Sequence, residues 1–188
     1  MPRNGDEVRR LLQEAALELY LERGYDKTTA GDIAARAGFT ERTFFRHFAD
    51  KREVFFGGEA QLRDLLTGAV AAVPAGIRAL PTLRAAFHQA VPLIERNLPV
   101  TERRAPVIFA TPALRERALA KNAALAAALT DALRARGVAE PLAALCAQAG
   151  MDTYSIAIRR WAADRTDDLH AHLDRAFNDL RLEANALK

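Results

Sequence analysis

The chain is short of the features that anchor several functional classes. Its single cysteine, Cys146, has no partner for an internal disulfide, which points to a reducing compartment and to a small buried hydrophobe as its role. No cysteine pair or Cys/His spacing suits zinc, and no glycine-rich phosphate loop occurs. No local motif supports a Ser, His and Asp constellation either. An enzyme is therefore not expected, nor is any cofactor or metal. His170 and His172 stand among Asp167, Asp168 and Asp174, but an i, i+2 pair points to different sides of a helix, which argues against a shared ion. No apolar run approaches the length needed to cross a bilayer, and the opening MPRNGDEVRR lacks a signal-peptide core. A cytoplasmic protein without a membrane partner is the expectation. Large charge imbalance is missing too: the formal net charge is +3. Residues 1–56 carry ten Lys/Arg against ten Asp/Glu, so gross charge does not mark that part of the chain.

What the chain does have is hydrophobic content, 50% of its residues, enough to bury a core in one small and one larger domain without disulfides or metals. The most telling segment is Thr29 to Lys51, TAGDIAARAGFTERTFFRHFADK, which predicts two short helices joined by a glycine turn. Thr29 as N-cap with Asp32 three residues on makes a capping box. Ile33, Ala34 and Ala37 line one apolar face, and Gly38 supplies the left-handed residue that closes the helix. Thr40 caps the second helix. There Phe44 and Phe48 fall four apart on the buried side, leaving Glu41, Arg42, Thr43, Phe45, Arg46 and His47 outward. Arginine forks onto guanine O6 and N7, glutamate accepts from cytosine N4, and threonine or phenylalanine touches a thymine methyl. Glu41, Arg42, Thr43, Phe45 and Arg46 are therefore candidate base readers. Asp50 and Glu53 predict a second capping box opening a long helix, with Lys51 in a first turn where the macrodipole disfavours a cation unless an anion lies nearby. Lys51 is thus expected to anchor a phosphate. Arg3 is the one side chain ahead of the first helix placed to reach a minor groove. The alternative for these charges is an ordinary solvated face.

The segment Val8 to Phe56, with RGYDKTTAGDIAARAG followed by FTERTFFRHFADKREVFF, resembles the DNA-binding domain of TetR-type one-component repressors. The resemblance implies that Thr40 to His47 is the recognition helix. It also implies that Thr28, Thr29, His47 and Lys51 touch phosphates, while Glu41, Arg42, Thr43 and Arg46 touch bases. Where that family commonly has tyrosine, this chain has Phe45, which has no phenolic hydroxyl to offer a phosphate and keeps apolar or methyl contact.

The whole chain reads as all-α: an N-terminal three-helix helix-turn-helix domain over residues 1–50, then a larger helical ligand-binding and dimerisation domain over 51–188. The first helix is expected from about Asp6 to Arg23, stopped by Gly24, and a long connecting helix from Asp50 to about Val73. Pro92 is expected to kink or split the next helix, and Pro99, Pro106 and Pro112 to interrupt the segment after it. Thr111 and Pro112 open a long helix ended by Gly137, Pro141 opens the penultimate one, and Thr166 or Asp167 the last. Gaps between proline-broken helices suggest a cavity lined by Phe55, Phe87, His88, Val91, Ile94, Ile108, Phe109, Tyr154 and Trp161, for any of which plain core is the alternative. Glu102, Arg103, Arg104, Arg115 and Arg117 read as a solvated cluster, or as a clamp if the ligand carries phosphates. The penultimate helix has one apolar stripe of Met151, Tyr154, Ile158 and Trp161 and another of Leu142, Leu145, Ala149 and Ile156. The last repeats Leu169, Leu173, Phe177, Leu180 and Leu187. These two helices are expected to form a homodimer, with Gly150 allowing close approach. The reading that results is a repressor of a palindromic double-stranded DNA operator, released by a hydrophobic small molecule. ATPALRERALAKNAALAAAL resembles the branch of the family with acyl-CoA-like effectors. An architectural DNA-binding protein without an effector is the rival, and a small helical enzyme stands behind both.

Overall fold

The computed structural model describes residues 5–186, which are 81% helical with no strand. Arg3 and Leu187 lie outside the described residues. Eight α-helices follow in order: α1 (Gly5–Arg23), α2 (Ala30–Arg36), α3 (Glu41–His47), α4 (Glu59–Ala72), α5 (Ala79–Ala110), α6 (Pro112–Ala135), α7 (Glu140–Ala163) and α8 (Leu169–Asn185). They divide into two compact units. One takes in the chain up to Gly58 together with Leu98–Ala120, and the other takes in Glu59–Asn97 and the chain from Lys121. Helices α5 and α6 each run through both.

In the first unit, Leu12, Ile33, Phe44 and Val54 are fully buried and are joined by Leu17, Phe48, Phe55, Val107 and Leu114. Each such large side chain contributes about 1.5–3 kcal/mol through removal from water. Helix α1 ends where Gly24 adopts φ 86°, a conformation that glycine takes without steric cost. The expected helix from Asp50 is not there. Residues 53–55 form a single 3-10 turn, Gly58 sits at φ 88°, and α4 begins only at Glu59. Val54 and Phe55, expected on that helix, instead sink with Phe56 into the core of the first unit. Asp50 does cap the turn, its Oδ1 accepting from the amides of Arg52 at 2.7 Å and Glu53 at 3.2 Å.

The expected break at Pro92 and interruptions at Pro99 and Pro106 are also absent, since α5 is continuous over 32 residues. The reason lies in their spacing. Pro92, Pro99 and Pro106 recur every seven residues and all are exposed, so the prolines line one side of the helix and their rings stay out of the core.

The second unit packs α7 against α8, with the start of α5 alongside. Phe87 stacks on Tyr154 at 4.6 Å and 15° and lies 6.1 Å from Phe177. Arg136, one residue past α6, donates to the carbonyls of Val70, Val73 and Pro74 at 3.1, 2.6 and 2.8 Å and so closes the C-terminal end of α4. Asp168, one residue later than expected, caps α8 by accepting from the Ala171 amide at 2.7 Å.

The two stripes of α7 have different fates. Met151, Tyr154 and Trp161 are buried within the chain, whereas Leu142, Leu145 and Ile156 are exposed. Gly150 serves the inner side: a Cβ there would come within 2.8 Å of Leu83 Cδ1 on α5.

Candidate functional site

The helix-turn-helix is held by local hydrogen bonds. Thr29 and Asp32 form the reciprocal box, Thr29 N donating to Asp32 Oδ2 at 2.9 Å and Asp32 N to Thr29 Oγ1 at 3.1 Å. Gly38 turns the chain at φ 77°, and Thr40 caps α3 by accepting from Thr43 N at 3.3 Å. Phe44 is fully buried and Phe48 nearly so, which pins one side of α3. Glu41, Arg42, Phe45 and Arg46 are exposed on the other, and among the described residues Glu41, Arg42 and Arg46 take part in no ion pair. Phe45 is 52% exposed and lies edge-on to Phe44 at 5.5 Å and 86°, so its ring is braced from behind while its outer face stays open.

Other charges near this face are already matched. Arg36 forks onto Glu22 with two contacts of 2.8 Å and reaches Glu18 at 3.3 Å, and Arg52 is held by Asp50 at 2.8 Å. Arg42 and Arg46 thus carry the positive surplus of α3. His47 is half-buried, and burial, then the nearby Arg46 and Arg9, holds its pKa below the usual histidine range. Its buried Nε2 has no hydrogen-bond partner among the described residues.

Two expected phosphate contacts sit differently. Thr28 is fully buried, and its hydroxyl donates to Gly24 O at 2.9 Å, so it closes the end of α1 and has no surface to offer a phosphate. Lys51 is not in a helix. Its ammonium donates to the carbonyls of Tyr25 at 2.9 Å and Thr28 at 3.0 Å and lies 4.0 Å from the centre of the Tyr25 ring. Tyr20 Oη donates to Lys51 O at 2.8 Å, so both ends of this residue tie the segment after α3 to the α1–α2 turn. No spacing in the sequence signals these long-range bonds.

The cluster expected to be solvated is in part structural. Arg117 meets Glu53 with Nε–Oε1 at 2.5 Å and Nη2–Oε2 at 3.0 Å. Arg104 donates to Phe55 O at 3.1 Å and lies 5.2 Å from the Phe55 ring, and burial, then Arg103, pulls its pKa down to about 10. Both arginines bind the segment after α3 to the parts of α5 and α6 in the same unit.

Comparison with known proteins decides what this arrangement is. Residues 12–57 match the model described as bacterial regulatory proteins, tetR family, and residues 77–184, more than half the chain, match that described as MftR C-terminal domain. The chain belongs to the TetR family. The HTH-type transcriptional regulator TcmR of Streptomyces glaucescens is 40% identical over 78 residues, 42% of this chain and 34% of that protein. The match thus spans about a third of that relative's length. The FadR repressor of Thermus thermophilus, solved with lauroyl-CoA, is 25% identical at a TM-score of 0.50, covering 90% of this chain and 91% of that one. A transcriptional regulator of Pseudomonas aeruginosa PAO1 shares the fold at 20% identity and a TM-score of 0.61, covering 98% and 94%. The protein is a TetR-family transcription regulator with a DNA-binding helix-turn-helix, and regulators of this family bind operators, dimerise and bind small-molecule effectors. Among the described residues no helix is long and apolar enough to cross a membrane.

The nine residues expected to line an effector cavity in this TetR-family chain are divided between the two units. Phe55 and Ile108 belong to the core of the first unit or pack against it, and Phe109 is 70% exposed. In the second unit Phe87, Val91, Tyr154 and Trp161 are close-packed core, with Ile94 partly buried and His88 on the α5–α8 contact. None of the nine lines the large cavity of that unit, about 910 Å³, which opens where the α4–α5 and α6–α7 connections meet the end of α8. Leu80, Val138, Leu142, Cys146 and Phe177 supply its apolar wall. Burial pushes the Cys146 thiol pKa up. The cavity escaped the sequence because loops and helix ends far apart in the chain make it, with no periodic signal to mark them.

Proposed function

We propose that this TetR-family regulator is a ligand-responsive repressor, a homodimer that sets α3 of each protomer into successive major grooves of a palindromic operator. The exposed trio Arg42, Phe45 and Arg46, braced by buried Phe44 and Phe48, carries this reading. Glu41, Arg42, Thr43 and Arg46 are assigned to base edges and Phe45 to a thymine methyl. Thr29, Thr40 and His47 are assigned to the phosphate backbone, while Lys51, its ammonium held by the Tyr25 and Thr28 carbonyls, is assigned to fixing the segment after α3 against the α1–α2 turn. DNA reading belongs to residues 1–50, and sensing with dimerisation to 51–188.

The dimer face is assigned to α7 and α8, where Leu145, Ile156 and Leu182 are exposed while the opposite stripe of α7 is spoken for inside the chain. The effector is assigned to hydrophobic, acyl-bearing small molecules, in keeping with the lauroyl-CoA held by the Thermus thermophilus relative. Release needs only that the ligand favour the DNA-incompetent state, and a coupling of about 1–3 kcal/mol lowers operator affinity about 5- to 150-fold. The Glu53–Arg117 and Arg104–Phe55 contacts support such coupling, because they bond the segment after α3 to helices that continue into the second unit.

The test is selection of binding sites from random DNA, then anisotropy on the enriched site with and without fatty acids, acyl-CoAs and apolar drugs. A palindrome whose half-sites are about one helical turn apart, released by one of these ligands, supports the proposal. Sequence-independent binding unaffected by all of them favours an architectural protein.

A further inference from the structure

The large cavity of the second unit has a charge pattern that selects its occupant. Its wall is apolar, built in particular by Leu80, Val138, Leu142 and Phe177. Arginines stand around it at Arg78, Arg84 and Arg181, against a single carboxylate, Asp174. That carboxylate is already matched: its Oδ1 accepts from Arg84 Nε at 2.8 Å and from His88 Nε2 at 2.7 Å. Arg78 and Arg181 have no acidic partner among the described residues; Arg181 donates only to Asn178 Oδ1, at 2.8 Å. Two arginines without an acidic partner among the described residues therefore border a largely apolar space of about 910 Å³, the size range of small-molecule sites.

We propose that this cavity binds an organic anion with an apolar tail, a medium-chain carboxylate whose head is held by Arg78 and Arg181 and whose tail lies on Leu80, Val138, Leu142 and Phe177. The planar forks match a carboxylate in geometry as well as sign. A neutral apolar molecule leaves both arginines unanswered, and a cationic one adds a like charge. The inference rests on the effector-responsive reading and assigns its site and head-group chemistry.

The probe is sodium decanoate, with 1-decanol and decylamine as neutral and cationic controls, titrated by calorimetry into the full-length protein without DNA. Decanoate is expected to bind at one site per chain, at least tenfold more tightly than either control. Arg78→Gln and Arg181→Gln, both surface changes, should each weaken decanoate about tenfold, leave decanol unchanged and preserve the melting temperature. Equal affinity for decanoate and decanol, or indifference to both substitutions, overturns the proposal. Binding confined to a Leu145→Asp monomer overturns it too, since a second copy then covers the cavity.

Operator release separates the two readings. Decanoate that binds through Arg78 and Arg181 without weakening operator binding leaves the site standing and removes decanoate as the effector. Release that survives the double substitution keeps the repressor and overturns this site.

Discussion

Glu53 and Arg117, 64 residues apart in the chain, meet carboxylate to guanidinium through two contacts of 2.5 and 3.0 Å. Both are largely screened from water, with side chains 27% and 21% exposed. Arg117→Ala strands the Glu53 carboxylate and is expected to lower stability by about 1–3 kcal/mol. If the pair transmits effector binding, the variant also binds operator without full release by ligand. Chemical denaturation and ligand-dependent anisotropy on single and double Glu53→Ala, Arg117→Ala variants check both parts.

Arg42→Ala or Arg46→Ala should cost about 1–3 kcal/mol at the operator and relax preference at one base pair per half-site. Lys51→Ala should act differently. It removes two charge-assisted bonds to Tyr25 and Thr28 carbonyls, so operator affinity and melting temperature should fall together, by about 1–2 kcal/mol of stability. Arg46→Ala with unaltered base preference argues against the groove assignment.

His47 gives operator binding a pH dependence of known sign. Its folded-state pKa is depressed, by burial and then by Arg46 and Arg9, so its contribution to stability is complete above the unfolded value near 6.5. That contribution is lost as pH falls through the folded value. A phosphate beside the ring offsets both arginines and raises the pKa in the complex, so binding takes up a proton. Operator affinity should therefore rise as pH is lowered from 7.5 to 6, by no more than about 1.4 kcal/mol per pH unit, while His47→Gln flattens this component. Matching slopes in the two proteins would remove His47 from the phosphate contacts.

Two glycines in helices should respond oppositely to alanine. At Gly68 on α4 nothing lies within 4 Å of an added Cβ, and Gly68→Ala should stabilise by about 0.5–1 kcal/mol through helix propensity. At Gly150 the Cβ would come within 2.8 Å of buried Leu83 Cδ1, with Phe87 Cε2 at 3.6 Å behind it. Overpacking of about 1–3 kcal/mol then outweighs the propensity gain. Paired melting curves decide the sign at each site.

Leu145 is 66% exposed and Trp161 only 7%, although both lie on α7. Leu145→Asp should give a folded monomer with weakened operator binding. Trp161→Asp, in contrast, should unfold the second unit. Light scattering with circular dichroism distinguishes the two, and a Leu145→Asp dimer would shift the interface elsewhere.

What the sequence disclosed tracks how local the physics is. The reader helices were legible because the Thr29–Asp32 box, the Gly38 turn and the Phe44/Phe48 spacing each act within four or five residues. The start of α4 was not, because Val54, Phe55 and Phe56 look helical in isolation and only tertiary packing takes them into another core. Proline reads as a breaker one residue at a time, whereas the consequence at 92, 99 and 106 depends on which way each faces. The buried side of α7 was likewise undecided, since two apolar stripes on one helix do not say which lies inside.

The three prolines at seven-residue spacing give α5 a direction of compliance. A helix with rungs missing along a single side resists bending unequally, much as a scored strip folds toward one face and not across it. Thermal energy and applied load alike should therefore drive α5 in one preferred plane, at three joints and not one hinge. Replacing Pro99 with alanine would restore the middle rung and divide the compliant stretch in two, and amide exchange along the helix would register this as slower opening between Pro92 and Pro106.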